Sequence, residues 1–193
     1  MNPFPRAVIG SLLLAVPVGA EAVLDEPFDN LAGDVLFVIT QLLGWALLLT
    51  VARRVRRLST WGARLLVAGC AFQLVFSLAY VVSLLSEGEV ADWAFLPFLL
   101  GFVCLAVGSG VTVRSSRRVR EARLATRGAA LVGGLGLAAV VVGTDPWHDI
   151  ALIGSYLSWQ LLAADRHLHS SPSRVHRHSP LLAHRDGGDR VRP

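Results

Sequence analysis

Six side chains in this sequence set polar chemistry among long apolar stretches: Glu21, Gln41, Gln73, His148, Asp149 and Tyr156. An acid and an imidazole together can relay a proton, bind a cation or hold a metal-bound water. Carboxamides and a phenol are not reactive, but they give directional hydrogen bonds to a solute. Polar groups inside a bilayer are costly, so each of these is a candidate functional group. On a helix rising about 1.5 Å per residue, Glu21 lies about 22 Å from Arg6, and Gln41 and Tyr156 lie about 10 Å below Asp34 and Asp149. Ser77 and Tyr80 reach the same outer layer, and Gln73 and Gln160 fall near the midplane. The expectation is a polar pocket opening outward, with Glu21, His148 and Asp149 at its mouth.

Other chemistry has little support. The sequence contains no HExxH, GxSxG or SxxK motif, so neither a zinc-peptidase helix nor a serine nucleophile is written into it. His148 is the one histidine outside the C-terminal segment, too few for an ordinary zinc site. No catalytic residue, metal site or cofactor is expected. Cys70 and Cys104 each sit inside an apolar run, are expected at one depth, and read as packing residues with suppressed thiol reactivity.

The elements that position these groups are long apolar runs. Apolar residues make up 53% of the 193 and charged ones 17%, against about 25% charge in a typical soluble domain; mean hydropathy is +0.55. The runs are Ala7–Leu24, Val35–Ala52, Leu65–Leu85, Trp93–Val113, Gly128–Gly143 and Ile150–Ala164. Crossing a hydrocarbon core of about 30 Å takes roughly twenty helical residues. The fifth and sixth runs are short and must borrow their flanks. The fold expected is all-α: a polytopic membrane bundle of six transmembrane helices over residues 1–165, followed by a disordered basic His/Arg-rich tail, 166–193. Residues 1–22 also read as a secretory leader ending at Ala20-Glu21-Ala22, whose cleavage would leave five helices.

All eighteen basic side chains are arginine, and ten of the fourteen acids fall where no arginine does. Threaded through the apolar runs as a zigzag, Arg6, Arg53–Arg64, Arg114–Arg127 and the tail share one face. Glu21–Asp34, Glu87–Asp92 and Asp145–Asp149 share the other. Cytoplasmic loops collect arginine, which predicts both termini inside. The sequence pI near 10.0 then reflects inner loops lying near anionic lipid headgroups, not a nucleic-acid surface. The tail pairs His167/His169 and His176/His178 read as part of that solvated basic segment. Trp61 and Trp159 are expected at the inner boundary and Trp93 and Trp147 at the outer one. The absence of lysine suits a GC-rich bacterium, which places the chain in a bacterial inner membrane.

Glycines at 128, 133, 134 and 136 predict close packing and place the fifth helix at the centre of the bundle. The order Leu42-Leu43-Gly44-Trp45, Arg53-Arg54-Val55-Arg56 has an echo in Leu99-Leu100-Gly101-Phe102, Arg117-Arg118-Val119-Arg120, a faint sign of a duplicated helix pair. The leading functional reading is a non-catalytic membrane subunit or partner-binding protein, as a homo- or hetero-oligomer in the lipid bilayer. A small transporter or channel with an outward-opening polar pocket is second, and an outward-facing membrane enzyme third. A polar cavity joining Glu21, Gln41, Gln73 and Tyr156 would favour the latter two, and a filled bundle the first.

Overall fold

The computed structural model describes residues 2–23, 31–87, 93, 95–116, 122–142, 146–165 and 168. The apolar runs become α1 (Phe4–Val23), α2 (Leu31–Arg54), α3 (Thr60–Glu87), α4 (Phe95–Ser116), α5 (Arg123–Val142) and α6 (Trp147–Ala163), with a 3₁₀ turn, Val55–Arg57, joining α2 to α3. Among the described residues there is no strand. Five helices, α1 to α5, are long and apolar enough to cross a membrane. Helix α6 has 17 residues, about 25 Å of rise against a hydrocarbon core of about 30 Å.

Local chemistry sets the ends. The Ser59 hydroxyl accepts the Gly62 N–H at 3.0 Å and caps α3. Helix α5 is capped from a distance: the carboxylate of Asp165, only 2% exposed, accepts the Ala125 N–H at 3.0 Å. A buried carboxylate is tolerable there because it meets the positive end of a helix. The chain just beyond also docks. Leu168 is fully buried, its N–H reaches the Asp165 carbonyl at 3.0 Å, and its own carbonyl accepts from Arg57 at 3.3 Å. The rest of the expected tail, 166–167 and 169–193, lies outside the described residues.

Each helix packs mainly on its neighbours in sequence, and α1 packs on α6, so the six close a ring. Pairings such as Gly62 with Gly108 and Gly69 with Gly101 run antiparallel, as short connections require. Helix directions therefore alternate around the ring. Arg6, Arg53, Arg64, Arg114 and Arg127 gather at one end, while Glu21, Asp34 and Asp149 gather at the other. The arginine half is solid, filled by Trp45, Leu48, Leu66, Phe102, Trp159 and Leu162, each at most 1% exposed.

Glycine permits the close approaches. At Gly128 an added Cβ would collide with the Leu162 backbone of α6, and at Gly108 it would lie 2.9 Å from the Leu66 nitrogen of α3. With little hydrophobic drive between helices in lipid, such backbone contact supplies the packing.

Two expectations need correction. Gly134 is exposed with nothing within 4 Å, because its direction on α5 differs from the inward face of Gly133 and Gly136, and α5 is one ring member among six. Trp159 is fully buried instead of interfacial; it follows Leu152 and Tyr156 at i+7 and i+3 on the inward stripe of α6.

Candidate functional site

The acid half of the ring is hollow. A cavity of about 510 Å³ runs inward from that end, with its rim at Glu21 and Pro146, both exposed. All six side chains singled out from the sequence line it: Glu21, Gln41, Gln73, His148, Asp149 and Tyr156. Three helices contribute at the same spacing, i, i+3 and i+7: Asp34, Phe37 and Gln41 on α2; Gln73, Phe76 and Tyr80 on α3; Asp149, Leu152 and Tyr156 on α6. That spacing keeps one face of a helix turned to one direction. Helix α1 adds Val18 and Glu21, and α4 adds Phe95 and Phe98.

The two sides of the cavity differ in chemistry. On α2, α3 and α4 the rings form a continuous wall. Phe37 and Tyr80 are 6.2 Å apart, Tyr80 and Phe76 6.1 Å, Phe76 and Phe95 5.8 Å, and Phe76 and Phe98 5.1 Å between centroids. On α1 and α6 the surface is polar, with Glu21, His148 and Asp149. Glu21, Asp34 and Asp149 stand on α1, α2 and α6, so the charged groups surround the opening instead of clustering on one helix.

His148 is held by α5, the one helix with no residue on the cavity. Its Nδ1 lies 2.9 Å from the Ala139 carbonyl oxygen. A carbonyl only accepts, so Nδ1 carries the proton and Nε2 is the position open to a solute or proton. Among the described residues no group of three or more His, Cys, Asp or Glu side chains is placed to hold a metal ion.

The floor is unusual in its hydrogen bonding. Gln41 is 7% exposed, Tyr156 3% and Gln73 1%. The Gln73 amide nitrogen donates to the Phe98 carbonyl at 3.1 Å, which ties α3 to α4 and leaves its oxygen turned to the cavity. Among the described residues, no partner is present for that oxygen, for either end of the Gln41 amide or for the Tyr156 hydroxyl. The described side-chain atoms that are fully buried with no partner are Ser109 Oγ and Trp159 Nε1; the polar atoms of Gln41, Gln73 and Tyr156 instead reach the cavity. Three such groups on three helices line one cavity, and what fills it supplies their partners. Gln160, also near mid-depth, is different: its amide donates to the Ser11 hydroxyl at 2.7 Å, and it is a plain α6–α1 tie away from the cavity.

The sequence reading missed the aromatic wall and placed Asp34 only as an outer-face acid. The shared i, i+3, i+7 spacing was the available signal, since Phe37 and Phe76 fall between polar residues on the same stripes. The chain matches no protein-family model, no curated protein and no solved structure.

Proposed function

We propose that this chain is a multi-pass protein of a plasma membrane that takes a small solute from the external side into the acid-end cavity, as a transporter or solute-binding subunit. In this reading α6 spans with its flanks, all six helices cross, and the arginine end faces the cytoplasm, following the preference of inner loops for arginine. Helix α1 stays with the mature chain, because it supplies Val18 and Glu21 to the cavity and Ser11 to the bond with Gln160.

One observation carries the reading: Gln41, Gln73 and Tyr156 are buried, lack protein partners for the groups named above, and line one cavity. A partner-binding scaffold has no use for unmatched polar groups at the bottom of a hollow, whereas a solute site does. Among the described lining residues none is serine, threonine, cysteine or lysine; in this reading the carboxylates, His148 and the tyrosines serve recognition. The cavity also lies within the roughly 300–1,000 Å³ range of small-molecule sites.

A high-resolution experimental density map tests this directly. Ordered water or solute within hydrogen-bonding distance of the Gln41 amide, the Gln73 oxygen and the Tyr156 hydroxyl is expected. A dry cavity, or one collapsed onto these groups, overturns the reading.

A further inference from the structure

We infer that the solute is a small organic cation carrying a hydrogen-bonding group at its far end, an inference that rests on the solute-binding reading above and gives it a substrate class.

Charge comes first. Among the described residues, the cavity lining holds three carboxylates, Glu21, Asp34 and Asp149, and neither arginine nor lysine. Helix dipoles do not alter that balance. Three helices begin and three end at the acid face, so half-charges of about +0.5 and −0.5 cancel around the ring. The carboxylates alone set the sign, and it repels anions. His148 does not reverse it, since one imidazolium would still leave a net negative mouth.

Acidic residues at a rim would not be enough, but two further features point to a ligand of this kind. The first is the ring wall of Phe37, Tyr80, Phe76, Phe95 and Phe98, linked centroid to centroid. Aromatic faces attract a desolvated ammonium, and a weakly hydrated quaternary or alkylated ammonium most readily. The second is the unmatched floor, where a 7% exposed amide and a 3% exposed phenol face the cavity without a protein partner. Those groups call for an oxygen or hydroxyl on the ligand. Asp34 to Gln41 and Asp149 to Tyr156 are each one stretch of seven residues, so the backbones of floor and rim are about 10 Å apart, and the longer Gln41 and Tyr156 side chains, leaning toward the helix N-termini at the rim, shorten that gap. A ligand with its ammonium between carboxylates and rings and its polar end on Gln41 and Tyr156 spans what remains. A bare metal ion would leave the rings and floor unused.

The experiment is isothermal titration calorimetry on the full chain purified in detergent, with three probes of similar length and different charge. Acetylcholine is the cation. The neutral probe is its carbon isostere, in which tert-butyl replaces trimethylammonium, and the anion is monomethyl glutarate. Acetylcholine is expected to bind roughly tenfold or more tightly than the isostere, with no measurable binding of the anion. Glu21→Gln, Asp34→Asn and Asp149→Asn keep shape and hydrogen bonding. Each should weaken acetylcholine several-fold and leave the isostere unchanged, with size-exclusion profiles showing that the variants remain folded. Equal or tighter binding of the neutral or anionic probe overturns the cation assignment and leaves solute binding standing. Binding of none of the three in the wild-type chain overturns both.

Discussion

Gly101→Ala is the substitution in which packing and cavity meet. Gly101 sits on α4 beneath the Gln73 side chain, and an added Cβ there would lie 2.6 Å from the Gln73 amide nitrogen and 3.1 Å from its next two carbons. Gln73 is 1% exposed and its amide already reaches the Phe98 carbonyl at 3.1 Å, so it has nowhere to go without breaking that bond or separating α3 from α4. Overpacking of this kind costs about 1–3 kcal/mol, and a buried acceptor left unmatched about 1–3 kcal/mol more. Replacing a helical glycine by alanine returns about 1 kcal/mol. The net expectation is a loss of about 1–5 kcal/mol. Gly134→Ala is the matched control, because nothing lies within 4 Å of its added Cβ; only the helix-propensity gain of up to about 1 kcal/mol remains. Unfolding of the detergent-purified chain by titration with a denaturing detergent, followed by circular dichroism, measures both. Equal effects of the two substitutions would refute the ring packing and the placement of Gln73 together.

Three further outcomes follow from the same packing. Asp165→Ala removes the remote cap of α5 and should cost about 1–3 kcal/mol in the same titration; no change would mean that the Ala125 contact does not hold α5. A double-mutant cycle on Ser11→Ala and Gln160→Leu should give a coupling of about 0.6 kcal/mol, the usual size for such pairs in membranes, and zero coupling would contradict the α1–α6 closure. Leu168→Ala should lower stability by about 2 kcal/mol or more, whereas truncation after Ser170 should leave the thermal midpoint unchanged; a large loss on truncation would show that the residues beyond 170 also pack.

Much of the architecture was legible because the membrane constraint is strong. Five of the six helices are long and apolar enough to cross a membrane, and a run of about twenty apolar residues signals that directly. Depth along each helix was equally legible, since rise per residue is fixed; that is why Glu21, Gln41 and Tyr156 could be assigned to an outer layer, and Gln73 to a level near mid-depth, before any contact was known. Direction around each helix was not. Gly134 and Gly133 are adjacent in sequence, yet only Gly133 meets α4, and nothing in a run of small residues says which side faces a neighbour. Trp159 was misread for the same reason: its place along the axis, toward the arginine end, said nothing about the inward stripe. The ring closure between α1 and α6 depends on surfaces distant in sequence, and with it the fact that the acid half is hollow while the arginine half is filled.

The central claim is a cavity filled with water and open on the external side, closed toward the arginines. It is tested most directly by single cysteines in a background where Cys70 and Cys104 are alanine. Val18 lines the cavity and is 6% exposed, and Val16, two residues away on α1, is 63% exposed on the apolar outer surface. A thiol must ionise to react, which it does in water and not in lipid. Applied to intact cells, a small membrane-impermeant thiol reagent should label Val18→Cys, spare Val16→Cys, and reach Arg56→Cys only after permeabilisation. Failure to label position 18, or labelling of position 56 from outside, would contradict the account.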